Sequence, residues 1–291
     1  MPTRTALRAP VLQDEAPLNL PNLFIAGVQK GGTTTIAGIL ANETQVCGPR
    51  RFPDERPAFA KEVHFFDHKL RLQKGVHFLA SRYRDCHHRY VIDATPDYLR
   101  NAEEIYHFYE AHGDPSKIKI VLSLREPVSR EISLYHYMVQ LAKGDDAAWL
   151  RAVVDDNNKT IPFEEYYQRR LVPHLPNLFG MYHRHLLEWF KFFDRDQILI
   201  LSFDELALNG TTYMQRIYDF LDLGIFQGKV PHLNAASGID IPCRLRRKLA
   251  KAFAQPNEKL YELLENSPGP SMEERPFPRF HEEGCMDTND S

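Results

Sequence analysis

The sequence predicts a single α/β domain with a P-loop-like central parallel sheet flanked by helices. Three short apolar runs, at residues 22–28, 118–124 and 198–201, are each followed by a stretch whose apolar residues recur with helical spacing. Apolar strands that alternate with helices are typical of parallel sheets, which are buried on both faces. The chain of 291 residues is also long enough to bury a substantial core.

The two ends of the chain differ in composition from the part between them. Residues 1–20 are polar and punctuated by proline, which predicts a disordered lead-in. Residues 266–291 are rich in proline, glycine and acidic residues, which predicts a flexible tail. We therefore expect the folded domain to occupy residues 21–265.

Overall composition excludes several classes of protein. The formal net charge of −3 gives no general attraction to nucleic acid, so we expect no nucleic-acid partner. No stretch approaches the roughly 18 to 20 apolar residues that span a bilayer, and no signal-peptide core is present. These features predict a cytoplasmic protein, with the Golgi lumen as the alternative if an anchor has been trimmed away. The four cysteines allow one disulfide but form no zinc motif.

The first strand–helix junction, "AGVQKGGTTT" at residues 26–35, is a candidate anion site. Backbone N–H groups gather at the start of a helix, and Gly31 and Gly32 permit a close approach to them. Lys30 adds a positive charge, but it precedes the glycines, whereas the lysine of a Walker A loop follows them. Three hydroxyl donors follow, at Thr33, Thr34 and Thr35. The alternative is a plain strand-to-helix turn with a surface lysine.

The second junction places an arginine where α/β sheets bind ligands. Arg125 follows the strand directly, and Ser133 lies eight residues later on the next helix. A guanidinium group can bind a phosphate with two parallel hydrogen bonds, and the hydroxyl can contact the same group. The alternative pairs Arg125 with Glu126 or Glu131 and leaves Ser133 on the helix surface.

The stretch "KEVHFFD", residues 61–67, supplies a candidate base. In an extended conformation Glu62, His64 and Phe66 share one face, and Val63 and Phe65 share the other. A carboxylate with partly apolar neighbours can have its pKa raised and act as a general base. The alternative is an edge strand with a solvated polar face.

Together these motifs resemble the carbohydrate sulfotransferases, in particular the heparan-sulfate-like branch. The resemblance includes "DATPDYL" and "RRKLAKAFAQPNEKLYELL" and covers nearly all of residues 22–264 in the family's order. It implies transfer of a sulfuryl group from 3′-phosphoadenosine 5′-phosphosulfate to a hydroxyl or amine of a carbohydrate or small-molecule acceptor. It also implies a reaction that requires no metal.

The resemblance assigns roles to individual residues. The catalytic group comprises Glu62 as general base, Lys30 at the bridging oxygen, and His64. Lys61, His64 and Asp67 line the acceptor site. The donor is held by Gln29, Lys30, Gly31, Gly32, Thr33, Thr34, Thr35, Arg125 and Ser133, with Arg246 and Arg247 as candidates near its 3′ end.

Two departures from the family pattern leave questions open. Ala94 stands where heparan-type members carry a lysine, so the acceptor stays open between a glycan and a small molecule. The basic loop near the 3′ end of the donor is also short, and Arg246 and Arg247 can equally form the solvated face of a helix. The alternative functions are a P-loop kinase-like phosphotransferase and a non-catalytic nucleotide-binding interaction protein. The sequence does not indicate an oligomeric state.

Overall fold

A five-stranded sheet forms the centre of the protein, and all of its pairings are parallel. The computed structural model describes residues 18–51, 61–145, 147–231, 241–270 and 276–281. The spatial order of the strands is β2-β3-β1-β4-β5. The strands are β1 (Leu23–Gly27), β2 (Val46–Cys47), β3 (Tyr90–Asp93), β4 (Lys119–Leu124) and β5 (Ile198–Ser202). The predicted α/β fold with a parallel sheet is confirmed.

Ten α-helices accompany the strands in the described part of the chain. They are α1 (Thr33–Leu40), α2 (Lys69–Leu72), α3 (Gly75–Ser81), α4 (Ala102–His112), α5 (Pro127–Leu141), α6 (Phe163–Tyr166), α7 (Tyr182–Phe192), α8 (Phe203–Leu208), α9 (Gly210–Leu221) and α10 (Cys243–Asn266). Short 3₁₀ turns lie between some of them, including Pro96–Arg100 and Ala148–Val153.

Side chains alternate between two hydrophobic layers along the central strands, as the period of a strand requires. Phe24 and Ala26 of β1 face one layer, which also contains apolar side chains of α4, α7 and the second half of α10. Leu23 and Ile25 face the other layer, which contains side chains of α1, α8 and α9. The sheet is thus covered on both faces, which explains why its strands are uniformly apolar in sequence.

A third hydrophobic cluster lies beside the sheet. It joins α5, the segment between α5 and residue 171, and the first half of α10. The α5 helix begins at Pro127, whose fixed φ suits a first helical position. The Glu126 side chain caps it by accepting hydrogen bonds from the N–H groups of Val128 (2.9 Å) and Ser129 (2.6 Å).

The order of the strands determines where a ligand can bind. The chain leaves β1 for β2 and returns through β3, whereas β4 lies on the other side of β1. This reversal beside β1 is a switch point, and α/β sheets bind ligands at the carboxyl ends of strands there. The segments that follow β1, β3 and β4 meet at this edge, and they contain the predicted site residues of the first two junctions.

The described parts of the chain ends show local contacts with the domain. Phe277 and Phe280, in the predicted tail, pack against the layer that contains α7 and α10. Residues 271–275 and 282–291 of the predicted tail, and residues 1–17 of the lead-in, lie outside the described residues. The domain limits of 21–265 stay a prediction.

Two further findings concern stability and location. Cys47 and Cys86 form a disulfide that ties β2 to the segment before β3, so the single disulfide that the sequence allowed is present. Among the described helices, none has the length and apolar character needed to cross a bilayer. The cytoplasmic location stays a prediction.

Candidate active site

The loop between β1 and α1 is anchored to the neighbouring strand β4. The Val28 N–H donates to the Ser123 carbonyl (3.0 Å), and the Ser123 hydroxyl donates to the Gly31 carbonyl (2.5 Å). Lys30 and Gly32 adopt left-handed backbone conformations, with φ of 68° and 83°. Left-handed residues in a loop that enters a helix turn N–H groups towards one side, which suits an anion.

Both glycines of this loop are required by their surroundings. A Cβ atom at Gly31 would lie 2.4 Å from the Ser123 carbonyl oxygen and 2.9 Å from that of Val28. A Cβ atom at Gly32 would lie 2.7 Å from the Leu206 side chain, and its positive φ disfavours other residues. The glycine pair therefore allows the loop to lie directly against β4 and α8.

Two cations meet at this loop. The Lys30 ammonium is half-buried and lies 4.2 Å from the ring centroid of Tyr137. Arg125 donates from Nη1 to the Lys30 carbonyl oxygen (3.2 Å), and its guanidinium carbon lies 4.7 Å from the ring centroid of Phe203. Burial, followed by repulsion from Arg125, lowers the pKa of Lys30. A bound anion would relieve this repulsion.

The carboxylates that the sequence offered as alternative partners of Arg125 have other roles. Glu126 caps α5, and Glu131 forms a fully buried ion pair with Arg130. Ser133 is buried two turns into α5. The roles of Arg125 and Ser133 as phosphate-binding residues stay predictions.

The remaining predicted donor residues differ in exposure. Thr33 is buried at the first position of α1, Thr34 is exposed, and Thr35 is partly exposed. Arg246 and Arg247 lie on the first turns of α10, after a segment that is outside the described residues. The role of these two arginines near the 3′ end of the donor stays a prediction.

The second half of the site, residues 61–67, is held by side chains from the end of β3 and from the segment after it. Three successive N–H groups donate to them: Val63 to the Asp93 carboxylate (3.4 Å), His64 to the Thr95 hydroxyl (3.3 Å) and Phe65 to the Tyr98 hydroxyl (2.7 Å). Residues 61–67 therefore form no strand, because side chains take the place of a neighbouring backbone.

A buried network supports these three contacts. Asp93 has no exposed surface and accepts hydrogen bonds from Thr95 Oγ1 (2.6 Å) and Tyr98 Oη (3.1 Å). Burial raises the pKa of Asp93 to about 6, although these hydrogen bonds oppose the shift. Sequence reasoning did not assign this role to Asp93, Thr95 and Tyr98. The available signal was a group of polar residues directly after a buried strand.

The predicted alternation of faces in residues 61–67 is wrong. His64 has a left-handed conformation, with φ of 49°, which breaks the period of an extended chain. Phe66 is consequently buried together with Val63 and Phe65 instead of sharing a face with Glu62. The expected meeting of carboxylate and imidazole nevertheless occurs, because Glu62 Oε2 lies 3.2 Å from His64 Nε2.

Hydrogen bonds fix the charges of this pair. The Glu62 side chain is 11% exposed, and it accepts hydrogen bonds from Lys61 and His64. Burial raises the pKa of Glu62, but these hydrogen bonds outweigh burial and the pKa is lowered overall. The expectation of a raised pKa was therefore wrong. Glu62 is an ionised carboxylate at neutral pH.

The imidazole of His64 is positively charged because it contacts two carboxylates. Its Nδ1 lies 2.6 Å from Asp67 Oδ2, and its Nε2 contacts Glu62. Burial lowers the pKa of His64, but its bonds to the two carboxylates dominate and raise it to about 10. His64 is thus an imidazolium that orients Glu62, and its two nitrogens are already engaged.

A glutamine connects the two halves of the site. Gln29 Nε2 lies 2.8 Å from both carboxylate oxygens of Asp97, so its side chain points to the segment after β3 that supports residues 61–67. Possible ligand atoms of Asp97, His64 and Asp67 lie within 4.8 Å of one another, a spacing that a metal could use. The hydrogen bonds already described account for this cluster without an ion.

Lys61 lies beside the position where the family lysine is replaced. Its ammonium donates to the Ala94 carbonyl oxygen (3.0 Å) as well as to Glu62, and the Ala94 N–H donates to the Lys61 carbonyl (3.1 Å). A lysine ammonium is therefore present next to Ala94, although it comes from a different segment.

Comparisons with known proteins show which proteins the chain is similar to. A family model described as "Sulfotransferase domain" matches residues 20–235. Heparan sulfate glucosamine 3-O-sulfotransferase 3A1 of Mus musculus is 28% identical over 239 residues, which cover 80% of this chain and 53% of the mouse protein. Bifunctional heparan sulfate N-deacetylase/N-sulfotransferase 1 of Caenorhabditis elegans is 26% identical over 272 residues, which cover 84% of this chain and 30% of the worm protein.

A solved structure shows the same fold. The sulfotransferase from Alicyclobacillus acidocaldarius superposes with a TM-score of 0.57 at 20% identity, covering 85% of this chain and 97% of that one. The chain spans about half the length of the mouse relative and under a third of the worm relative.

Proposed function

The chain belongs to the sulfotransferase domain family, and from this premise we propose that it moves a sulfuryl group from 3′-phosphoadenosine 5′-phosphosulfate to an acceptor hydroxyl or amine. The acceptor is a carbohydrate or a small molecule. The observation that carries the proposal is the meeting of a cationic glycine loop with an ionised, oriented carboxylate. The loop follows β1, and the carboxylate, Glu62, is held by the segment after β3.

The donor side fits a phosphosulfate. The loop offers backbone N–H groups at the start of α1, and Gly31 lets the loop backbone lie directly against β4. Burial and the neighbouring charge of Arg125 lower the pKa of Lys30, and the two positive charges favour a ligand with several negative charges. Lys30 would stabilise charge on the leaving phosphate, and Arg125 with Ser133 would hold the 3′-phosphate.

The acceptor side fits proton removal. Glu62 is ionised at neutral pH because Lys61 and His64 donate to it. An attacking hydroxyl or amine loses its proton to Glu62 Oε1 or Oε2 as its lone pair forms the new bond to sulfur. His64 would keep the carboxylate in position, while Asp67 keeps His64 charged. General-base assistance of this kind contributes about 10²- to 10⁴-fold to a rate.

The transfer needs alignment and charge neutralisation more than a covalent intermediate. The bond from sulfur to the acceptor oxygen or nitrogen forms as the bond from sulfur to the phosphate oxygen breaks, and the electron pair leaves with adenosine 3′,5′-bisphosphate. The hydrogen bonds between Gln29 and Asp97 tie the donor loop to the segment after β3, whose Thr95 and Tyr98 side chains also hold residues 61–67. The protein would thereby hold the reacting atoms in line.

The relatives support a carbohydrate among the possible acceptors. Both named relatives act on heparan sulfate, according to their names. Ala94 replaces the lysine that the resemblance places near the acceptor in heparan-type members, so a highly anionic glycan is not the only class to test.

A donor and acceptor screen tests the proposed function. Purified protein is incubated with ³⁵S-labelled phosphosulfate donor or with γ-labelled ATP, and with glycans, phenols, amines or alkyl alcohols as acceptors. We expect label transfer from the phosphosulfate donor and none from ATP. Transfer from ATP in the absence of phosphosulfate binding would instead favour the kinase-like phosphotransferase. Phosphosulfate binding without transfer to any acceptor class would favour the non-catalytic binding protein.

A further inference from the structure

Trp149 is displayed on the protein surface by a rigid turn. Its side chain is 45% exposed, and it is the sole aromatic among the strongly exposed large hydrophobic residues of the described chain. Its neighbour Leu150 and the nearby Val153 are almost fully buried in the cluster beneath α5. The residues that follow Trp149 in the turn thus anchor it to the core, while Trp149 itself is exposed.

The exposed ring lies next to Tyr137, which in turn contacts the proposed catalytic lysine. The ring centroids of Trp149 and Tyr137 are 6.4 Å apart with planes inclined by 30°, and the Lys30 ammonium lies 4.2 Å from the Tyr137 centroid. Tyr137 is on α5, one turn beyond Ser133. The two rings therefore form a continuous aromatic wall that begins at Lys30 and ends at the surface.

The charges beside the base favour an uncharged partner for this wall. Both cations that flank Glu62 are already bonded to carboxylates: Lys61 to Glu62, and His64 to Asp67 and Glu62. They therefore offer less attraction to an acceptor carboxylate or sulfate than unpaired cations would. Aromatic side chains bind flat ring faces through dispersion and their quadrupole, without needing a charge on the ligand.

We propose that Tyr137 and Trp149 form an acceptor subsite that binds an uncharged ring while its hydroxyl or amine reaches Glu62. This inference rests on the proposed function and adds the class of acceptor. The ring can be the apolar face of a pyranose or a phenol, and both share a flat surface of the size of one aromatic side chain.

Fluorescence provides a test that needs no turnover. The chain has two tryptophans, and Trp189 is fully buried, so acrylamide quenching reports on Trp149. Protein saturated with adenosine 3′,5′-bisphosphate is titrated with phenol, methyl β-glucopyranoside, methyl β-glucuronide or 1-pentanol. We expect at least one of the two uncharged rings to protect Trp149, and pentanol to give no protection. Protection by phenol or by methyl β-glucopyranoside identifies which kind of ring the subsite binds. Equal protection by pentanol would overturn the subsite, and equal protection by the glucuronide would overturn its preference for uncharged rings.

Kinetics provide the second test. Trp149→Ala should raise the KM of a ring-bearing acceptor about 3- to 10-fold, as expected for the loss of one aromatic contact. Trp149→Phe should restore KM to within about twofold, and affinity for adenosine 3′,5′-bisphosphate should stay unchanged in both. Leu208→Ala, at an 85% exposed position on α8, is the matched control. An unchanged KM in Trp149→Ala would refute the subsite.

The two tests separate this inference from the function on which it rests. Ring protection of Trp149 without any sulfuryl transfer would support the subsite and contradict the proposed reaction. Sulfuryl transfer with normal KM in Trp149→Ala would support the reaction and contradict the subsite.

Discussion

The donor loop and the base segment are built in different ways, although they meet at one edge of the sheet. The loop at residues 28–32 is held by backbone hydrogen bonds, by the Ser123 hydroxyl and by the absence of side chains at Gly31 and Gly32. The segment at residues 61–67 is held by the side chains of Asp93, Thr95 and Tyr98. The first depends on what glycine lacks, and the second depends on what polar side chains supply.

Because the two halves of the site are held by different interactions, we expect a mutation in one half to leave the other half intact. Changes in the loop should affect donor affinity, whereas changes in the base segment or its supports should affect the chemical step or the stability of the fold. Residues in both halves adopt left-handed conformations that are uncommon for their type, at Lys30 and His64. Strained backbone of this kind is frequent at functional sites, which is consistent with a role for each half.

The largest expected effect is on the chemical step. Glu62→Gln keeps the size of the side chain but removes the proton acceptor, so turnover should fall by about 10²-fold or more. Affinity for adenosine 3′,5′-bisphosphate should remain within about twofold. Steady-state rates and calorimetry on the same preparation check both parts. Turnover within about threefold of the wild type would show that Glu62 is not the base.

The next largest effect is on donor affinity. Arg125→Ala should weaken binding of adenosine 3′,5′-bisphosphate by about 1.5–3 kcal/mol, as for a lost charged hydrogen bond. Isothermal calorimetry measures this loss. Arg169→Ala is a matched control, because Arg169 is an exposed residue paired only locally with Glu165. Equal affinities for the two variants would remove Arg125 from the donor site.

Two glycine-to-alanine variants, one in the loop and one in α1, test the backbone geometry of the loop. Gly31→Ala introduces a Cβ 2.4 Å from the Ser123 carbonyl oxygen and should destabilise the protein by about 1–3 kcal/mol and weaken donor binding. Gly38→Ala, in helix α1 with no atom within 4 Å of the new Cβ, should stabilise it by about 0.5–1 kcal/mol. Denaturant unfolding distinguishes the two. Two variants of equal stability would contradict the close approach of the loop to β4.

The support of the base segment can be tested through stability and pH. Asp93→Ala leaves buried donors without their acceptor and should cost about 2 kcal/mol of unfolding free energy. Asp93→Asn retains an acceptor for the Val63 N–H and should lose less. Chemical denaturation at several pH values measures both. Equal losses in the two variants would argue against the hydrogen bonds as the cause.

The sign of the pH dependence follows from the raised pKa of Asp93, about 6 compared with 3.8. Its favourable contribution is fully present below pH 3.8 and is lost as pH rises through 6. Asp93→Asn cannot ionise, so its stability should change less than that of the wild type over this interval. A wild-type protein whose stability is no more pH-dependent than that of Asp93→Asn would contradict the raised pKa.

The sequence predicts one half of the site better than the other. The β1 loop was predictable because a strand, a lysine, two glycines and a helix follow one another within a few residues. The conformation of residues 61–67 was not, because their partners at 93–98 lie about 30 residues away and act through side chains. Residues 61–67 have the pattern of a strand, and only these distant contacts explain why His64 breaks it.

The charge of Glu62 was missed for a related reason. Burial alone predicts a raised pKa, and the sequence shows apolar neighbours at Val63 and Phe65. The lowering requires the actual hydrogen bonds from Lys61 and His64, whose geometry depends on the left-handed conformation of His64. Residue type therefore made Glu62 the candidate base, and folded geometry determined its protonation state.

The most direct test of the central claim is the pH dependence of single-turnover sulfuryl transfer at saturating donor. The pKa of Glu62 is lowered from 4.5 and that of His64 is raised to about 10, so both groups keep their charge between about pH 5.5 and about pH 8.5. The account predicts transfer of the ³⁵S label with a rate constant that is flat across this interval. A rate that rises through an apparent pKa near 6.5, as for a neutral histidine base, would contradict it, as would the absence of transfer while the donor is bound.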